Sequence, residues 1–339
     1  MMIDQRTHTA PELQGVYWLN SAPLSIQTLR GNAVLLFFWD YTCIRSLRML
    51  EYIKELYDRY YEDGLMVVGV HTPAFEFAGK VEPLEELLYE RNVQFPVLMD
   101  NKRATFELYQ NNETPAIVLI DQDGSIRSQY HGRGQQQSIE RDVQVLLKNS
   151  GILDALPAPM DAHRPEEQPG VICTRETPRI YFGYLKGNMG NNEGFNPESL
   201  YTYDDPGVYL PGRFYLDGIW RSGRHSVVLE QPVSDEGYIV IRYEGREVFA
   251  LIGHEGRDTI RLDVLQDGSY LTHENKGGDI EIDAERRSYI KVDSPRLIHL
   301  VANKEPSEHV IKISSQNTGV EMYSLTFIPG VVPELFGKN

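Results

Sequence analysis

Residues 34–38 of the chain, Val-Leu-Leu-Phe-Phe, are five consecutive apolar side chains, and no other feature restricts the fold as much. Alternate residues of a strand point to opposite faces, so a continuous apolar run needs a sheet covered on both sides, the setting of a parallel strand. The run breaks through an aromatic turn containing Trp39 and Tyr41, and the period then changes. Leu47, Leu50, Ile53, Leu56 and Tyr60 recur at helical spacing. Cys43 therefore falls at a strand-to-helix junction, where unpaired N–H groups and the macrodipole favour a thiolate. Arg45 and Arg48 add positive charge nearby.

The same alternation continues to about residue 150. Residues 65–71 read as an apolar strand, and 81–91 as a helix that tolerates Pro83 only in its first turn. A short strand over 95–99 and a short helix over 103–109 follow. Residues 116–121 and 125–130 flank Gln122-Asp123-Gly124, a hairpin signal. A helix over 135–148 closes the unit. The order β-α-β-α-β-α-β-β-α predicts a central sheet with helices on both faces, an α/β domain spanning 1–150.

Residues 151–177 lose this periodicity; Pro157, Pro159, Pro165 and Pro169 sit among polar residues, the signature of a linker. From 178 to 331 the chain reads as strand throughout: 213–216, 238–243, 248–252, 259–265, 289–292, 297–301, 310–313 and 322–327. These runs are β-branched or aromatic and are separated by Gly, Asp, Asn and Pro, which predicts an all-β sandwich of jelly-roll type. Residues 332–339 are a short C-terminal tail.

Two domains also suit a length of 339 residues. A net charge of −16 argues against nucleic-acid partners and anionic membrane surfaces, which need a basic footprint. No stretch approaches the length of a membrane span. The start, MMIDQRTHTAPELQG, lacks a basic region followed by an apolar core, so a cytoplasmic location is expected. With 2 cysteines there is no disulfide framework, and the 9 histidines lack metal-ligand spacing, so neither metal nor other cofactor is expected.

The strings FFWDYTC, VVGVHTPAFEF, FPVLMDNKRATFELY, TPAIVLIDQDGSIR and HGRG resemble the TlpA/DipZ-like branch of the thioredoxin superfamily. TPRIYFGY, EGREVFALIG, RSYIKVDSPRLIHLV and EHVIKISSQNTGVEMYSLTF resemble the carbohydrate-binding-module-like jelly roll that follows the thioredoxin-like domain in DipZ-type proteins. The resemblance covers nearly the whole chain apart from the linker. It implies a thiol–disulfide oxidoreductase lineage with Cys43 as nucleophile and a cis Thr114-Pro115 bond facing it. The backbone of Thr114 then pairs with bound substrate, Trp39 and Tyr41 border it, and Arg45 steadies the thiolate. DipZ-type proteins also carry an electron-transporting membrane domain, to which no stretch of this sequence corresponds.

Two positions depart from the family pattern. C-x-x-C becomes Cys43-Ile44-Arg45-Ser46, so a mixed disulfide on Cys43 has no neighbouring thiol to resolve it. The buried acidic residue that serves the second cysteine, two positions before the Trp, is Phe37. Joint loss of thiol and base reads as a natural C-x-x-S site, since an engineered serine would leave the acid in place. Ser46 is then a candidate hydrogen-bond partner for the sulfur. The peroxidatic pattern Pro-x-x-x-Thr-x-x-Cys is missing before Cys43, which places peroxide reduction second to disulfide chemistry.

Other residues carry weaker signals. Cys173 lies in the linker, and two cysteines in a reducing compartment seldom pair. His71 and His131 more often pack than react. Trp220, Tyr215, Tyr243 and Phe249 invite a sugar-stacking reading, but aromatic rings usually fill a β core. Two functions of different kinds remain. One is a monothiol oxidoreductase acting on a disulfide protein or a small thiol. The other is a pair of binding modules, the first for a protein and the second for a protein or a glycan.

Overall fold

The computed structural model describes residues 9–132, 134–149, 157–256 and 258–332. Residues 151–156 of the expected linker and 333–339 of the expected tail lie outside the described residues. The chain divides between Gly170 and Val171 into two compact units. Residues 157–170, expected as linker, belong to the first unit and 171–177 to the second. Among the described residues no helix is long and apolar enough to cross a membrane.

The first unit runs β1 (Tyr17–Leu19), β2 (Ala33–Trp39), α1 (Ile44–Tyr60), β3 (Leu65–His71), α2 (Val81–Glu90) and β4 (Val97–Met99). It continues with α3 (Ala104–Leu108), β5 (Ala116–Ile120), β6 (Ile126–His131) and α4 (Gln136–Asn149). The six strands lie in the order β1-β4-β3-β2-β5-β6, with β2–β3 and β3–β4 parallel and the other pairs antiparallel. Every residue of β2 is buried. Val34, Leu36 and Phe38 share one cluster with Phe106 of α3 and Tyr109. Period-2 geometry sends Leu35, Phe37 and Trp39 to the opposite face. Helices α1 and α4 are joined there by Glu140, whose carboxylate accepts hydrogen bonds from Tyr52 Oη at 3.0 Å, Tyr60 Oη at 2.8 Å and Arg59 Nη1 at 2.8 Å. Strand β1 escaped the sequence reading because three residues carry too little periodicity.

In the second unit come β7 (Ile180–Tyr181), β8 (Leu200–Tyr203), β9 (Phe214–Ser222), β10 (Val227–Gln231), β11 (Gly237–His254) and β12 (Ile260–Gln266). They are followed by β13 (Ser269–Tyr270), β14 (Glu281–Ile282), β15 (Ser288–Val292), β16 (Arg296–Ser315) and β17 (Val320–Ile328). All pairings between these strands are antiparallel, as expected of the sandwich. Strand β11 pairs with β9 along its first half and with β17 along its second, while β10 joins β9 to β17, so the sheet curls back on itself around one apolar core.

The sequence divided β11 and β16 into four shorter strands, and here the structure corrects it. Each is continuous, of 18 and 20 residues. The register slips between Gly245 and Glu247 on β11, and residues 303–306 of β16 have no register partner there. A bulge lets a strand bend without ending, and Pro306 sits where no ladder bond is needed from its nitrogen.

Candidate active site

Strand β2 delivers Trp39 to the top of the sheet, and after Asp40, Tyr41 and Thr42 the chain enters α1 through Cys43. Cys43 is the N-cap of that helix (φ −115°, ψ 114°), one position before the first turn, and its own side chain makes no capping bond. Its N–H donates to the Asp40 carbonyl at 3.0 Å, and its carbonyl accepts from Leu47 N–H at 3.0 Å. The sulfur is largely buried, with the residue 6% exposed. Sγ lies 4.0 Å from the carbonyl oxygen of Thr114, a residue 71 positions away in sequence. The Thr114-Pro115 bond is cis. A carbonyl accepts from S–H and offers nothing to a thiolate, so this contact belongs to the resting thiol.

The other expected site residues fall out differently. Ser46 has no exposed surface and its Oγ has no hydrogen-bond partner among the described residues, so the expected bond from Ser46 to the sulfur is not made. Trp39 was expected to border substrate, yet it is wholly buried. The reason is the sheet: Trp39 still belongs to β2, paired with His71 of β3, and stacks on Phe37. Tyr41 lies beyond the strand and is half-buried, as is Arg45 in the first turn of α1. Arg48 is committed to Glu166 at 2.9 Å. Neither Cys43 nor Cys173 is in a disulfide, and Cys173 forms a β-bridge with Val331 in the second unit.

Asp40 and His71 are the residues that sequence reasoning missed or discounted. Asp40 is buried, and its carboxylate accepts from Thr42 N–H at 2.9 Å, Thr42 Oγ1 at 2.7 Å and Ala74 N–H at 3.0 Å. Asp-x-Thr at a turn is the local signal for such bonding. Burial pushes the His71 imidazole down to about 4, against the opposing pull of Asp40. Burial chiefly, with Asp40 second, holds the Tyr41 phenol far above its ordinary range. His131 pairs in register with Ala116, immediately after the cis-proline.

In the second unit Trp220, Tyr215, Tyr243 and Phe249 are all buried. Their faces serve the interior: Tyr243 stacks on Phe327, Phe249 stacks on His299, and Trp220 Nε1 donates to the Asp217 carbonyl at 2.8 Å. They form no exposed platform for a sugar ring.

A four-layered logic of sheet, helix N-cap cysteine, cis-proline and facing carbonyl defines a thiol protein of the thioredoxin superfamily. Residues 7–129 match the AhpC/TSA family and residues 177–327 match the thioredoxin like C-terminal domain, a pairing that supports a DipZ/TlpA-like thioredoxin family. It is 30% identical over 268 residues to Protein DipZ of Mycobacterium bovis, covering 78% of this chain and 37% of that protein. Thiol-disulfide oxidoreductase YkuV of Bacillus subtilis is 28% identical over 138 residues, 40% of this chain and 93% of its own. Thiol-disulfide oxidoreductase ResA of Bacillus cereus is 25% identical over 126 residues, 37% and 70%. The chain thus spans little more than a third of the DipZ relative's length.

Proposed function

We propose that this protein is a thiol–disulfide oxidoreductase that works through one cysteine, in a reducing, cytoplasmic setting. Cys43 loses its proton, and its thiolate attacks one sulfur of a substrate disulfide. The substrate S–S bond breaks, a Cys43–substrate disulfide forms, and the departing sulfur leaves as a thiolate that takes up a proton. An external thiol such as glutathione then attacks the mixed disulfide and frees Cys43. The two electrons come from external thiols, because Ser46 cannot supply a second sulfur. Thr114 presents its backbone to substrate, and Tyr41 and Arg45 border the mouth of the site. The names of the relatives YkuV and ResA support this class of activity.

The observation that carries the reading is the approach of Cys43 Sγ to the Thr114 carbonyl beside the cis-proline. An extended substrate that pairs with this backbone would bring its disulfide to the sulfur. The test is capture of a mixed disulfide on Cys43 by oxidised glutathione or a glutathionylated protein, read by mass spectrometry. Reduced glutathione should release it and Cys43→Ala should abolish it. Insulin reduction driven by a dithiol-recycling reductase alone should fail.

One observation favours a second reading, in which the fold only holds a protein partner: Cys43 is 6% exposed, little for a nucleophile. If no mixed disulfide forms at Cys43, this binding-module reading replaces the first.

A further inference from the structure

His71 closes β3 with no exposed surface, yet neither of its ring nitrogens has a hydrogen-bond partner among the described residues. A neutral imidazole carries one donor and one acceptor, and burying both unmet is unfavourable, so the ring is held there by its surroundings. Trp39 meets it edge-on at 5.3 Å, and Tyr41 lies flat against it at 5.3 Å and 10°. Nε2 stands 4.0 Å from Asp40 Oδ1, too far for a hydrogen bond but within reach of an ion pair. Asp40 meanwhile holds the turn together. Its carboxylate takes the Thr42 and Ala74 amides, and its carbonyl takes the Cys43 N–H. Side-chain and backbone oxygens of one residue thus set the Cys43 turn and tie it to the chain that follows His71.

We propose that His71 is a positioning residue for Cys43 and makes the site acid-sensitive. Neutral, it leaves the Asp40 carboxylate to the turn amides; protonated, it draws the carboxylate into an ion pair and unseats Cys43 from Thr114. The inference rests on the reading of Cys43 as the reacting thiol.

The groups around the ring leave Asp40 as the charge that acts on it. From the turn after β2 the neighbours are Asp40 and the Tyr41 phenol. At the end of β4, Asp100 N–H donates to the His71 carbonyl at 2.8 Å, while its carboxylate is taken by the amides of Thr105 at 3.2 Å and Phe106 at 2.8 Å. The segment after β3 contributes Thr72 and Ala74, which carry no charge.

The test uses the full chain with Cys173→Ser, so that Cys43 is the reacting thiol, and 2,2′-dipyridyl disulfide, which forms mixed disulfides with thiols even in acid. Rates are taken relative to glutathione, and the His71 ring is followed by NMR, assigned through His71→Phe. As His71 takes up its proton, the relative rate should fall roughly fivefold or more, with a midpoint within about one pH unit of the ring titration. His71→Phe and Asp40→Asn, neither able to form the ion pair, should each flatten the profile. A flat wild-type profile, a midpoint far from the ring titration, or a drop retained in folded His71→Phe would overturn the proposal. Failure of the oxidoreductase reading is a separate result. If no biological disulfide is captured but the reagent profile still follows His71, the positioning role stands.

Discussion

The rings of Phe37 and Trp39 lie 6.0 Å apart and 9° from parallel on one face of β2, and neither has any exposed surface. The position where the family keeps a carboxylate is therefore occupied by an aromatic stack. The side chain at position 37 is carbon throughout, with no acid there to exchange protons with a second sulfur.

Phe37→Asp is expected to lose the packing of a fully buried ring and to place an unpaired carboxylate in its stead. The cost should be about 4 kcal/mol or more. Urea unfolding followed by circular dichroism measures it, and a change below about 1 kcal/mol would mean that water reaches position 37.

Ser46→Cys should restore a dithiol, since position 46 lies three residues after Cys43 on the first turn of α1. The variant should reduce insulin with a dithiol-recycling reductase, where the parent should not, but slowly. Adding Phe37→Asp should speed it if the double variant remains folded. A single variant as fast as the double one would remove Phe37 from the explanation.

Acid should weaken the first domain through His71. Its folded-state value is lowered from 6.5 to about 4, so between these pH values the unfolded chain binds a proton that the folded chain excludes. The stability gained by keeping the ring neutral is complete above about pH 6.5 and is lost as the pH falls toward 4. The loss should be about 3 kcal/mol. His71→Phe should lose correspondingly less over the same range in urea melts. Equal losses in the two proteins would show that other groups govern the acid limb.

Glu140 joins α1 to α4 and also accepts the Met160 N–H at 2.6 Å. Tyr52 Oη also donates to the Gln136 carbonyl at 2.9 Å, and Tyr60 Oη also accepts from Gln144 Nε2 at 2.7 Å. Glu140→Ala should therefore cost about 2 kcal/mol, chiefly from the Tyr60 hydroxyl and the Met160 N–H losing their acceptor, while Glu140→Gln, which keeps an acceptor, should cost less. The Arg59 partner is partly exposed and is discounted from that figure. Thermal unfolding of both variants checks the order; an alanine variant as stable as the parent would contradict the role given to this carboxylate.

Much of the fold was legible because it rests on local periodicity. The continuous apolar run before Cys43 and the helical spacing after it marked β2 and α1, and the sequence bounds of β3 agree with the structure at both ends. The long strands β11 and β16 were not legible as single elements. A glycine and a proline that punctuate most chains here sit at a bulge, and a bulge is defined by the partner strand. The cis bond at Thr114-Pro115 was expected from the family resemblance, not from the spacing of residues.

The sequence by itself determined the two-domain order, the lone cysteine at a helix start and the missing second thiol, because these depend on residue identity and on repeats along the chain. Only the tertiary structure decided that Trp39 is interior, that Ser46 makes no hydrogen bond to the sulfur, and that His71 comes within 4.0 Å of the Asp40 carboxylate. Those facts depend on which strands lie side by side: pairing β2 with β3 puts residue 71 opposite residue 39. Burial then fixes their chemistry, since the same imidazole exposed to water would titrate near its ordinary value and leave Asp40 undisturbed.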